Sequence, residues 1–334
     1  MNIHVDSQKI TRGLLVLIAL TCLVIVLCLA GVLGAEEESA SEGSSGEQSQ
    51  QQAEGGLAAS GSGGNDASQT EGVQASSTEQ SSGSAQPAEY ANIDQSALQS
   101  LLGKTVSKNL VSKAKTNEDA AWIAAHYKEY EQYGKDQQVK LLTLASKESQ
   151  ALPFVRNYRE SDESATGTCD ALQKGKVPEL YQWDTRWAWV KYSEHCIGTS
   201  GCGVTALAMV YQGLTGDSSK SPYDLSVDSV KNNYVHSGTD PDFYAFEAKH
   251  LGLKCEEVSP SASNLKKALD KGSIVIINVG PGDFTTGGHY IVGYAIDGLG
   301  KLHVRDPYSA VNTAKSWDAS SVMGQAKRLF VFSK

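Results

Sequence analysis

Apolar positions fall into three regimes along this chain. Residues 13–35 (GLLVLIALTCLVIVLCLAGVLGA) form an unbroken, uncharged apolar run. At about 1.5 Å per residue such a run, as a helix, spans a hydrocarbon core of roughly 30 Å. Residues 36–89 then offer only Leu57 and Val73 as apolar side chains apart from alanine. That segment cannot bury enough surface to offset its backbone entropy, which predicts a disordered Ser/Gly/Gln-rich linker through residue 92.

From residue 93 the apolar positions become periodic. Leu98, Leu101 and Leu102 mark a short helix over 93–102. Asn117 is a good N-cap, with Glu118 and Asp119 in the first turn. Ala121, Trp122, Ala125, Tyr130 and Tyr133 carry that stripe on to Gly134, and Val139, Leu141, Leu142 and Leu144 define a second helix over 137–146. Residues 202–214 leave so little polar surface that their helix should be buried nearly all round. Shorter helices are expected over 223–232, 243–251 and 262–270, then strands over 273–279, 289–296, 301–306 and 328–333. Helices followed by a run of antiparallel strands predict an α+β fold. The expected organisation is a stub and span (1–35), a linker (36–92), a helical extension (93–160) and the main domain (161–334).

Charge sharpens this division. The chain carries −9 formally; residues 1–35 hold +1, and residues 36–89 hold ten Asp or Glu with no Lys or Arg. Residues 90–334 are therefore neutral, which gives no general attraction for nucleic acid. Lys9 and Arg12 precede the apolar run and Glu36, Glu37 and Glu38 follow it, so residue 36 onward should lie outside the cell. A secretory signal usually has an apolar core of about 7–15 residues, which favours an uncleaved, single-pass signal anchor in the cell membrane. The small residues Gly34 and Ala35 leave cleavage, and hence secretion, open. The linker would hold the domain on the order of 40 Å from its anchor; a sugar-decorated stalk is the other reading.

The chemistry concentrates at Ser200-Gly201-Cys202-Gly203-Val204-Thr205. A cysteine opening a buried helix meets unpaired N–H groups and a positive partial charge, which favour thiolate and can hold an oxyanion. Flanking glycines would let a substrate backbone approach. The competing reading is a small residue packed at a crowded helix start. A nucleophile also needs a base, and His289, after Gly287-Gly288, opens a strand. If Asp297-Gly298-Leu299-Gly300 is the turn and Ile296 faces Lys301, then His289 faces Tyr308 and Asp306 is its diagonal neighbour, about 7–8 Å away at the backbone. An odd-length loop would put Asp306 on the opposite face. Cys202, His289 and Asp306 then follow the logic of nucleophile, base and orienting carboxylate.

At this point the sequence resembles the papain-like cysteine peptidases related to bacteriocin-processing endopeptidases, cysteine peptidase family thirty-nine. More narrowly it resembles their stand-alone extracytoplasmic branch in Gram-positive bacteria. The resemblance runs over about 118–334. It rests on LPFVRNY (152–158), VPELYQWDTRWAWVKY (177–192), IGTSGCGVTALAMVYQGLTGD (197–217) and GGHYIVGYAIDGLGKLHVRDPYS (287–309). It implies a papain-like α+β fold in which the nucleophile's buried central helix packs on an antiparallel sheet. It also implies Cys202 as nucleophile, His289 as general base, Asp306 as orienting partner, and Gln182 with the Cys202 amide as oxyanion donors. Val204 stands where relatives usually carry proline. That position lies in the first helical turn, whose N–H has no helical partner, so little chemical effect is expected.

No cofactor is expected. His195 with Cys196, or His250 with Cys255, lack the paired spacing of a zinc site, and Gly280-Pro281-Gly282 lacks the third glycine and helix of a nucleotide loop. Cys169, Cys196 and Cys255 leave disulfide pairing open. The expected partners are a peptide or protein substrate and the membrane. Two other readings stand beside the peptidase: a hydrolase of cell-wall peptide or amide bonds with the same triad, and a binding module on a retired peptidase fold.

Overall fold

The computed structural model describes residues 86–159 and 164–334. The apolar run over 13–35 and the linker up to residue 85 lie outside the described residues, among which no helix is long and apolar enough to cross a membrane. Ala88–Asn92, placed in the linker on sequence grounds, form a 3-10 turn, and Tyr90 packs on the helices that follow.

Those helices are α1 (Gln95–Ala114), α2 (Glu118–Ala125), α3 (Lys135–Lys147) and α4 (Leu152–Arg156). Helix α1 is longer than the 93–102 stretch its leucines suggested. It breaks at Gly103, which takes φ +77° as only glycine does readily, and resumes with Leu110, Val111 and Ala114 buried. Asn117 caps α2 as expected, accepting from the Ala120 N–H at 2.9 Å. The helix expected to run on to Gly134 ends at Ala125, and Tyr127–Tyr133 continue as 3-10 helix. Tyr127, Tyr130 and Tyr133 recur every third residue, the period that a 3-10 helix places on one face. Tyr127 and Tyr130 are accordingly buried, and the Tyr130 hydroxyl donates to the Val155 carbonyl at 3.0 Å. This helical core also takes in Trp183, Ala188 and Cys196, so the extension shares apolar packing with the segment leading into the nucleophile.

The second half is built on α5 (Ile197–Ser200), α6 (Cys202–Thr215), α7 (Pro222–Lys231), α8 (Phe243–His250) and α9 (Ala262–Asp270). With them lies an antiparallel sheet of β1 (Lys254–Val258), β2 (Ile274–Val279), β3 (His289–Ile296), β4 (Lys301–Arg305), β5 (Ser316–Asp318) and β6 (Ala326–Ser333). Its order is β1-β6-β2-β3-β4-β5. Two further short helices, α10 (Ala310–Thr313) and α11 (Ala319–Gln325), flank β5. Residues 203–210 of α6 are all buried, and the helix ends at Gly216 in the left-handed conformation. One face of the sheet, with Ile274, Ile276, Tyr290, Val292, Phe330 and Phe332, packs with α6 and the α7–α8 side chains Leu225, Phe243 and Tyr244. The other face, with Val275, Ile277, Ile291, Leu302, Val304 and Leu329, is covered by Leu265 of α9 and Val322 of α11. Coverage on both faces explains why β2 reads as a continuous apolar run rather than an alternation. A buried central helix on an antiparallel sheet fits the α+β, papain-like expectation. Strand β1 escaped the sequence reading because it is an edge strand with Lys254, Glu256 and Glu257 exposed.

The β3–β4 register departs from expectation in an instructive way. Ile296 pairs with Leu302, not Lys301, so the connection is odd. Asp297 closes it by accepting both the Leu299 and the Lys301 N–H at 2.9 Å. By itself that would move Asp306 to the wrong face. A bulge at Tyr294 adds one more residue, and beyond it Gly293 pairs with Val304 and Val292 with Arg305. The two one-residue shifts cancel, so continuing this register sets Asp306 diagonal to His289.

Candidate active site

Cys202 begins α6, and its neighbours pack tightly. A side chain at Gly201 would meet the Ile197 carbonyl at 2.7 Å, and one at Gly203 would meet Thr239 Cβ at 2.5 Å. Thr239 cannot easily yield, because its hydroxyl is hydrogen-bonded to the Tyr192 hydroxyl at 2.8 Å. Both glycines are therefore required by packing around the helix start, whereas the sequence had suggested room for a substrate backbone. Cys202 is half-buried as a residue and, like Cys169, Cys196 and Cys255, is a free thiol.

His289 is the first residue of β3 and is 7% exposed. Its Nε2 lies 2.7 Å from Asp306 Oδ1, and the ring is near enough to the Cys202 thiol for each to shift the other's pKa. Asp306 is fully enclosed and well supplied with donors. Oδ1 also accepts the Tyr308 N–H at 2.9 Å, and Oδ2 accepts from Asn312 Nδ2 at 2.8 Å. Its own N–H donates to Thr313 Oγ1 at 2.9 Å.

Electrostatics couples these groups. Burial alone would lower the His289 pKa, but the Asp306 charge and hydrogen bond, with the Cys202 sulfur, push it up to about 10. Burial would raise the Cys202 pKa. The His289 hydrogen bond and charge, the Tyr290 N–H and the Lys140 ammonium outweigh it, and the thiol falls below its ordinary value. The other cysteines behave oppositely: burial raises Cys169, Cys196 and Cys255, the last to about 12. Among the described cysteines Cys202 alone has its thiol shifted toward the thiolate.

Gln182 is 2% exposed. Its backbone N–H donates to the Pro307 carbonyl at 2.8 Å, beside Asp306. Its side-chain Nε2 donates to the Gly198 carbonyl at 2.9 Å, one turn before Cys202, and its Oε1 has no partner. The structure thus brings Cys202, His289 and Asp306 together and ties Gln182 to the backbone on both sides of them.

Several contributors were not read from the sequence. Asn312 and Thr313 follow Asp306 by six and seven positions, and the only local sign was Ser309 as the N-cap of α10. Lys140 lies on a helix that looked purely structural; its ammonium donates to the Thr199 carbonyl. Among the described residues no group of three or more His, Cys, Asp or Glu is arranged to hold a metal ion.

No curated protein matches the chain. Residues 174–328, which contain Cys202, His289, Asp306 and Gln182, match the Peptidase_C39 like family, and this match supports a C39-like cysteine peptidase domain over that span.

Proposed function

We propose that this chain is a membrane-anchored, extracytoplasmic cysteine peptidase that hydrolyses peptide bonds through Cys202, His289 and Asp306. The observation that carries this reading is the 2.7 Å hydrogen bond between the buried Asp306 carboxylate and the His289 ring, which in turn acts on the Cys202 thiol. The lowered thiol and the raised imidazole both favour a thiolate–imidazolium resting pair. The thiolate attacks the scissile carbonyl carbon, and the oxygen takes up the negative charge. The Cys202 backbone N–H and the Gln182 amide are the donors for that oxyanion; one Gln182 hydrogen is engaged by Gly198, and an amide NH₂ has a second. His289 then protonates the leaving amine, and as a neutral base it activates the water that releases the acyl-enzyme.

The test is the pH dependence of kcat/KM for peptide cleavage by the full chain, with purified peptidoglycan as a parallel substrate. A bell is expected. Protonating the thiolate ends activity on the acid side, below the ordinary thiol value of about 8.5. Deprotonating the imidazolium ends it on the alkaline side, near about 10. A single rise centred on the ordinary thiol value, with no alkaline fall, would remove the ion-pair mechanism. Release of muropeptides in preference to peptide products would assign the same chemistry to the cell wall.

Anchoring rests on the apolar run over 13–35 with Lys9 and Arg12 before it. The full-length protein should sediment with membranes and resist carbonate extraction. A mature chain beginning after residue 35, recovered from the medium, would replace the anchor with a cleaved signal.

A further inference from the structure

The residues that aim Asp306 sit on one small turn. Tyr308, Asn312 and Thr313 supply three of its hydrogen bonds, and the turn that carries the last two starts at Ser309. The Ser309 hydroxyl oxygen accepts the Asn312 N–H at 3.1 Å, fixing the residue whose side chain holds Asp306 Oδ2. The hydroxyl hydrogen goes elsewhere, to Glu148 Oε1 at 2.5 Å. Glu148 Oε2 also accepts the Ala310 N–H at 3.2 Å.

Glu148 lies 161 positions before Ser309, at the C-terminal end of α3 and outside the span that matches the peptidase family. It is 3% exposed, and a buried carboxylate is tolerated only where donors and a countercharge meet it. The Lys113 ammonium of α1, which donates to the Ala145 carbonyl at 3.1 Å, is the cation whose charge acts with that of Glu148. The same helix reaches the nucleophile side, where Gln137 Nε2 donates to Thr199 Oγ1 at 3.1 Å and Lys140 donates to the Thr199 carbonyl. Helix α3 therefore spans the site, holding the approach to Cys202 at one end and the turn behind Asp306 at the other.

We propose that Glu148 is a positioning residue for the triad: by fixing Ser309 and Ala310 it sets the turn that aims the Asp306 carboxylate at His289. This rests on the Cys202–His289–Asp306 reading above, and it makes the helical extension part of the catalytic apparatus. Removing the link lets Asp306 drift from Nε2, which weakens the imidazolium and raises the thiol.

The full chain should be compared with Glu148→Gln, Ser309→Ala and the double variant, with thermal melts to establish folding. Glu148→Gln keeps the shape and one acceptor but loses the charge; Ser309→Ala cuts the same link from the other side. Each is expected to lower kcat about 10- to 100-fold with KM little changed, the scale of a small misplacement of a catalytic group. The alkaline limb, set by His289 facing Asp306 and Cys202, should fall by about one pH unit. The limb of Cys202 alkylation by iodoacetamide, a readout independent of turnover, should move the other way, to higher pH, as the thiol is raised. Because both substitutions break one link, the double variant should be no worse than the more damaging single one. Folded single variants with wild-type limbs and kcat overturn the inference, as does a double variant whose losses multiply. A wild-type chain with no Cys202-dependent turnover would instead defeat the triad reading itself, whatever the variants do.

Discussion

Cys202→Ala is expected to reduce peptide cleavage to background, a loss of about 10⁴-fold or more in kcat, because oxyanion donors and substrate binding are all that remain. The fold should survive. Cys202 is half-buried, and loss of its sulfur removes one atom from the start of a helix whose following eight residues are themselves buried. A destabilisation of about 1 kcal/mol is the scale of such a deletion. The same variant should lose the fast phase of iodoacetamide labelling near neutral pH. Cys169, Cys196 and Cys255 have thiols raised by burial and cannot substitute for it. Mass spectrometry of the labelled peptides checks the site directly. Undiminished turnover in the alanine variant would end the assignment of Cys202 as nucleophile.

The second large effect is expected from Asp306→Asn, through a different route. The carboxylate's charge and hydrogen bond are what lift His289 toward about 10 against the effect of burial. An amide keeps an acceptor for the His289 and Tyr308 N–H groups but has no charge to hold the imidazolium. Its NH₂ would point at Asn312 Nδ2, two donors facing each other, unless the Asn312 amide turns over and presents its oxygen. That turn lets the variant fold. We expect kcat/KM to fall by about 10²-fold, with the alkaline limb moving down and the acid limb up as the ion pair loses its partner. Asp306→Ala should be worse for stability, since the Tyr308 N–H and Asn312 are left without acceptors at about 1–3 kcal/mol each. A pH–rate profile for Asp306→Asn that overlays the wild type would show that Asp306 does not set the protonation of His289.

The candidate triad was legible for a reason that also exposes the limit of the reading. Cys202 was marked by composition: an unbroken apolar helix with a cysteine at its first position has few interpretations. His289 and Asp306 were paired by counting across a hairpin, and that count was wrong in two places. The loop is one residue longer than assumed, and Tyr294 bulges. The diagonal pairing survives because the errors cancel, and nothing in Asp297-Gly298-Leu299-Gly300 or in Tyr294 announced either. Gln182 entered through resemblance alone; only in three dimensions is it tied to Gly198 and Pro307. The glycines beside Cys202 were noticed for the wrong cause. Their demand comes from Ile197 and Thr239, one of them local and the other 36 positions away.

By itself the sequence determined the elements with strong apolar period and the neutral charge of the folding portion, and it singled out Cys202 as the candidate thiol from its neighbours within a turn. The tertiary structure decided where polar side chains with no local signal ended up. Lys140 and Glu148 looked like the solvated face and end of an ordinary helix, yet one lies beside Thr199 and the other is buried on Ser309. Periodicity reports which side of an element is apolar; it carries no information about what a polar residue at the element's end will meet once the chain closes on itself.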